Sequence, residues 1–252
     1  HRFLMAFAGQ RDVIASTGKK DLYNRASDPA TWASLFTAEI QANLAARSDV
    51  ESVALGWHAP VSPVRTTARF TTLGSSDVLQ ARYNVVSPDY FRTLGVGVLA
   101  GREFDSRDRR EAEAAAIVND VLAARFEGGA IGQTLQLVNE PKPRRIVGVV
   151  RELKYNGITE PSQPYVYLPL AQAFRRDMHV HLRTRAAGAE TLLRTELRRL
   201  DPDEALTDVR TLSEQVAAAR ATPRATARMA TVAAAIAVCL ALVGVYGVLM
   251  TS

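Results

Sequence analysis

His179 and His181 stand two residues apart, so on a strand they share one face, and two imidazoles on one face can begin a metal site. No cysteine or third histidine lies near them, and a carboxylate would have to come from elsewhere in the fold. A surface or partly buried pair of strand histidines is the plainer reading. Gly18-Lys19 is followed by Lys20 where a phosphate-binding loop needs Ser or Thr, and the upstream glycine of that motif is missing. The run Gly128 to Gly132 follows a helical segment and precedes a strand, the reverse of a dinucleotide site, and reads as a turn. No serine sits in a G-x-S-x-G elbow. Asp105, Asp108, Glu111 and Glu113 fall in a mixed-charge run that reads as a solvated loop. No catalytic, cofactor-binding or metal-ligating residue is nominated, and the chain is expected not to be an enzyme.

The elements that would carry any such group are legible in outline. Asp12 to Thr17 reads as a strand, and Pro29 to Arg47 as a helix with Trp32, Leu35, Phe36, Ile40 and Leu44 on one side. Val50 to Trp57 follows as a strand, giving β-α-β. A second such unit comes far downstream: strand Met178 to Thr184, helix Ala189 to Leu200, strand Ala205 to Val209. Between them lies a region richer in strands and turns. It contains strand Arg82 to Val86, a short helix from Asp89 to Leu94 and strand Ala114 to Val118. A helix capped by Asn119 and strand Tyr165 to Leu168 also belong to it. Thr134 to Val138 and Arg144 to Arg151, joined by Asn-Glu-Pro-Lys-Pro, form a β-hairpin. The expectation is an α+β fold: a split β-α-β subdomain in residues 1–58 and 176–210, with a β-rich subdomain inserted at 59–175.

Charge divides the chain in another way. The net charge is +5, yet all 31 Lys+Arg and all 26 Asp+Glu precede residue 229. Acids and bases alternate without clustering around aromatics, which argues against nucleic acid as a partner. Met229 to Met250 carries no charge and would span roughly 33 Å as a helix, against roughly 30 Å of hydrocarbon. It reads as a transmembrane helix, and Gly244 and Gly247 would let another helix approach one end of it. Thr211 and Glu214 have the spacing of a capping box that opens a connecting helix over 211–228. Thr222-Pro223 restarts the helix, and Arg220, Arg224 and Arg228 repeat every four residues at the membrane surface. The single cysteine, Cys239, lies in the apolar segment and decides no compartment. A chain beginning at His1 and stopping just past an apolar segment reads as a piece of a longer protein.

The stretch from Tyr83 to Gly95, Tyr-Asn-Val-Val-Ser-Pro-Asp-Tyr-Phe-Arg-Thr-Leu-Gly, resembles the MacB-type periplasmic core domain of ABC transporter permeases in the MacB/FtsX superfamily. The likeness is to the large duplicated permeases of acidobacteria. It continues through Leu99 to Phe104, Ile117 to Asn119, Ile146 to Val150, Tyr165 to Leu170 and Leu200 to Asp203. Ser48-Asp49 replaces the Pro-Gly usual in the family, and Glu127 to Ala130 replaces a proline-containing loop; both departures concern turns.

The resemblance implies a porter-like split subdomain, a sabre-like inserted one, and a following membrane helix. It implies a bacterial inner-membrane location with residues 1–228 periplasmic, and no cofactor in this chain. ATP would sit on a separate cytoplasmic ATPase subunit. Further partners would be the membrane, the remaining permease helices, a second permease half or copy, and a periplasmic adaptor. Thr211, Glu214, Arg220, Pro223, Arg224 and Arg228 would carry the transmission between domain and membrane. The positive-inside rule, applied to the one flank with Arg220, Arg224 and Arg228, would instead place that side in the cytoplasm. Two other readings stand beside the transporter component: an FtsX-like interaction module acting on an envelope partner, and a membrane-anchored enzyme.

Overall fold

The computed structural model describes residues 2–8, 39, 42–44, 46–61, 66–72, 78–138, 140, 142–155, 160–173, 175, 178–185, 188–200, 206–214 and 216–218. The strand expected at 12–17, most of the helix at 29–47, and the apolar segment 229–250 lie outside them. Among the described residues no helix is long and apolar enough to cross a membrane.

The first strand, β1, is Arg2–Ala8, and β2 is Val50–Gly56. Then come β3 (Thr67–Thr72), β4 (Val78–Val86), helix α1 (Tyr90–Leu94) and β5 (Val98–Gly101). Next are β6 (Ala115–Asn119), α2 (Asp120–Ala123), β7 (Thr134–Leu137), β8 (Arg144–Val150) and β9 (Tyr165–Pro169). The described part closes with β10 (Met178–Thr184), α3 (Ala189–Leu200) and β11 (Leu206–Thr211). The fold is mixed, sheet-rich α+β.

At one end the sheet runs β11-β1-β10-β2 with every neighbour antiparallel. In chain order this is 4-1-3-2, the arrangement of two β-α-β units folded into one ferredoxin-like sheet. β1 lies between β10 and β11, so both its edges are paired. After Arg2 its sequence, Phe-Leu-Met-Ala-Phe-Ala, is a continuous apolar run without alternation, as in a central strand. The rest of the sheet closes on itself. From β4 the order is β3-β7-β8-β6-β9, and β9 pairs in parallel with β4 to complete a six-stranded ring. β5 adds to β8 outside that path.

Alternation along the strands feeds two cores. Ala116 and Val118 of β6, with Val166 and Leu168 of β9, join Phe70, Leu135, Val180, Leu182 and Leu193 in the larger one. Ala115 and Ile117, with Tyr165 and Tyr167, point the other way and meet Tyr90, Phe91, Phe104 and Tyr155. Both faces of β6 and β9 are therefore buried along their whole length. Fully burying a side chain of the size of Phe91 stabilises by about 2 kcal/mol.

Local chemistry sets the helix starts. The Asn119 Oδ1 accepts from the Leu122 N–H at 3.0 Å, the expected cap, and also from the Tyr165 N–H at 2.9 Å. The same side chain thus starts α2 and fastens β6 to β9. One expectation needs correction: Asp108 is not solvated. Its carboxylate is 4% exposed and takes two bonds from the Arg102 guanidinium, at 2.6 and 2.9 Å. A fork-to-fork pair needs no water on that side, so the loop folds inward. Asp105 stays at the surface, where the Arg107 hydrogen bonds hold its carboxyl far below the usual range.

Candidate functional site

Two places carry the connections of the domain: the exit from the sheet at β11, and the joint where β2 hands over to the ring.

At the exit, β11 ends on Thr211, whose register partner in β1 is Leu4. The Thr211 N–H donates to the Glu214 carboxylate at 2.9 Å, and the Glu214 N–H donates to the Thr211 Oγ1 at 3.1 Å. That reciprocal pair is a capping box, read from the i, i+3 spacing alone. Helical backbone follows at 212–214 and 216–218. An outer strand of the sheet therefore turns into a helix without a loop between them. Arg220, Pro223, Arg224, Arg228, Gly244 and Gly247 lie outside the described residues.

At the joint, β2 and β4 share a single ladder pair, Gly56 with Val86. Backbone bonds from Trp57 N to Val85 O (2.8 Å) and Ser87 N to Leu55 O (2.9 Å) flank it. The Ser87 Oγ accepts from the Leu55 N–H at 2.8 Å, and Asn84, fully buried in β4, adds the side-chain clamp. Its Oδ1 accepts from the His58 N–H at 2.9 Å, and its Nδ2 donates to the His58 carbonyl at 3.0 Å. The same Nδ2 reaches the hydroxyls of Tyr155 (3.2 Å) and Tyr90 (3.3 Å), which are 2.9 Å from each other. Tyr155 is set by its own loop. Glu160 accepts from its N–H at 3.1 Å, while Glu152 gathers Lys154, Ser162 and the Gln163 N–H. Burial pushes the phenols of Tyr90, Tyr155, Tyr165 and Tyr167 upward, Tyr155 to about 12, so they stay neutral at ordinary pH.

The two strand histidines lie side by side on one face of β10. Their ring centroids are 6.5 Å apart. His181 is fully buried beneath α1, edge-on to Tyr90 at 5.3 Å, with neither ring nitrogen hydrogen-bonded. Burial and the nearby His179 lower its pKa to about 3. The Nδ1 of His179 lies 3.1 Å from the Trp57 carbonyl. Among the described residues no three His, Cys, Asp or Glu side chains stand close enough to hold a metal ion. His58 packs against Trp57 at 4.0 Å and is lowered to about 4 by burial, then by His179 and Arg175. The Arg175 guanidinium lies over the Trp57 ring at 4.7 Å and donates to the Tyr83 hydroxyl at 3.0 Å.

The sequence reading missed the joint. A lone Asn among Tyr83, Val85 and Val86 is its one sequence signal, because a buried amide in an apolar strand must find partners.

A family model described as the MacB-like periplasmic core domain matches residues 4–237. No curated protein matches the chain. Among solved structures, the periplasmic region of MacB from Actinobacillus actinomycetemcomitans aligns over 83% of this chain and 87% of its own, at 16% identity and a TM-score of 0.50. A domain of a permease protein from Porphyromonas gingivalis aligns over 83% and 88%, at 13% identity and a TM-score of 0.45. The extracellular domain of the noncanonic ABC-type transporter YknZ from Gram-positive bacteria aligns over 83% and 99%, at 15% identity and 0.47. At 16% identity the likeness to the MacB region concerns the fold. The family match spans nearly the whole chain, and the chain belongs to the MacB-like periplasmic core domain family.

Proposed function

We propose that this chain is the extracytoplasmic core domain, with the following membrane helix, of an ABC transporter permease. It couples ATP-driven movement of membrane helices to export or release of a substrate outside the inner membrane. The ATP is held by a separate cytoplasmic ATPase subunit, and the chain itself supplies no catalytic residue or cofactor site. The split subdomain (1–58 and 176–210) receives the movement through the connecting helix 211–228, and the inserted subdomain (59–175) is moved with it.

One observation carries this reading. The Thr211–Glu214 capping box joins β11 directly to helical backbone at 212–214 and 216–218, and the apolar segment follows later in the sequence. A cap is worth about 1 kcal/mol, so its loss frays the first turn and softens that link. In the transporter reconstituted with its ATPase, a spin label on Glu113→Cys (with Cys239→Ala) should change its spectrum when ATP is trapped. Adding Thr211→Ala and Glu214→Ala should leave ATP hydrolysis near the parent value and reduce that spectral change. An undiminished change would contradict the transmission route.

A second reading has its own observation. Val98, Leu99 and Ile131 are 38%, 49% and 45% exposed on the inserted region, with Ile131 beside Gly101 at the end of β5. Exposed apolar side chains there favour an FtsX-like role in which the domain engages an envelope partner.

A further inference from the structure

β8 has β6 along one edge and shares the other between two strands: Arg144 and Arg145 pair with β7, Gly148 to Val150 with β5. β7 goes on to pair with β3, whereas β5 pairs with β8 alone among the described residues. The outer backbone edge of β5 is therefore open. Natural sheet edges are blunted by charged side chains, proline or bulges. Here one register shift between Val98 and Ala100 is present, and residues 97–101, Gly-Val-Leu-Ala-Gly, carry neither charge nor proline. All five are exposed. Leu99 is the extra residue at the shift, so Val98 and Leu99 stand at the surface together. The apolar strip continues past Gly101 to Ile131, whose Cδ1 would lie 2.8 Å from a Cβ on that glycine.

Cations stand at both ends of the strip. Arg151, which is exposed, donates its backbone N–H to the Gly97 carbonyl at 3.0 Å. The Arg145 guanidinium lies beside the residue after Ile131, since a Cβ on Gly132 would be 4.0 Å from its Nη2. Arg145 faces Glu113 at 3.7 Å with both side chains more than half exposed, a pair too weak to hold off a second carboxylate. Gly95 to Arg102 contains no acid.

We infer that the open edge of β5 takes up an extended, acidic and apolar peptide segment of an envelope protein as a further strand. Its apolar side chains cover Val98, Leu99 and Ile131, and its carboxylates meet Arg151 at one end and Arg145 at the other. This rests on the second reading above, that this face engages an envelope partner, and names the chemistry of that partner. Arg145 and Arg151 are six positions apart on β8, which is about 20 Å of strand. Carboxylates with a similar spacing on the guest reach both. A strand edge offers N–H and C=O groups that a peptide can use and an acyl chain cannot, which favours a peptide over an anionic lipid.

Panning a phage library of random decapeptides on the full chain in phosphatidylcholine nanodiscs tests it, with an enriched peptide then measured by fluorescence anisotropy. Enriched peptides should carry Asp or Glu on both sides of Val, Ile or Leu. Leu99→Ser should weaken binding about 10-fold, and Arg151→Glu about 5-fold. Both positions are exposed, so the variants keep the fold. No enrichment, enrichment of peptides without acids, or variants that bind like the parent overturn the proposal. Photocrosslinking in intact cells from Leu99→benzoylphenylalanine reads the face without assuming a peptide. A crosslink to a different protein, mapped to an acidic apolar segment, is expected. A crosslink to any other kind of segment, to a second copy of this chain or to phospholipid overturns the peptide chemistry and leaves the face as a contact. No crosslink overturns the second reading as well.

Discussion

Asn84→Ala should destabilise the chain by about 3 kcal/mol, because it strips a buried joint of its central amide. The side chain is fully buried and bonds both the N–H and the carbonyl of His58 while reaching the Tyr90 and Tyr155 hydroxyls. Alanine supplies none of these. The His58 N–H is left without its acceptor, at about 1–3 kcal/mol for an unsatisfied buried group. The two phenols keep each other and the His58 carbonyl, so they recover part of the loss. Against a total stability of about 5–15 kcal/mol the remainder is large. Urea denaturation followed by circular dichroism measures it, and a loss under about 1 kcal/mol would show that the amide is not the clamp described.

Gly148→Ala should be comparably severe, for a steric reason. Gly148 of β8 stands in register with Gly101 of β5. A Cβ on Gly148 would collide with the Arg102 carbonyl and come within 3.2 Å of the Ile117 Cγ1 in a fully buried strand. The backbone oxygen cannot move aside without shifting β5 from β8, nor can β6 without disturbing the ring. Gly101 has the reciprocal problem: its φ is +72° and its Cβ would meet the Val147 carbonyl. Overpacking of this kind costs about 3 kcal/mol, or about 10 °C in Tm for a chain of this size. Gly97→Ala is the control, since nothing lies within 4 Å of the added carbon there. Calorimetry should show a large drop for Gly148→Ala and almost none for Gly97→Ala. Equal values would refute the close approach of β5 and β8.

Features carried by neighbouring residues were readable in the sequence. The Thr211–Glu214 capping box and the Asn119 cap each span three positions, and the structure makes both sets of bonds. The alternation of Met178 to Thr184, the amphipathic run Ala189 to Leu200 and the β7–β8 hairpin are also local patterns. What escaped depends on distant partners. Nothing local marks Arg2–Ala8, because its apolar run becomes a strand only between β10 and β11. Thr67–Thr72 shows little apolar periodicity, and Val98–Gly101 is exposed at all four positions, so nothing local marks either strand. Ring closure rests on the parallel pairing of β4 with β9, some eighty residues apart in sequence. The joint is equally non-local, since Asn84 meets residues 26 and 71 positions away. The shared face of His179 and His181 follows from their spacing, but the burial of His181 requires α1 above it.

The family match assigns the body of the chain to the extracytoplasmic side of a membrane, although Arg220, Arg224 and Arg228 before the apolar segment argue the other way by charge alone. Glu113 is 71% exposed, and Cys239 is the chain's single cysteine. A Glu113→Cys, Cys239→Ala protein can therefore be probed with a membrane-impermeant maleimide in intact spheroplasts. Labelling without permeabilisation is the predicted result; labelling that appears only after the membrane is opened would contradict the extracytoplasmic assignment.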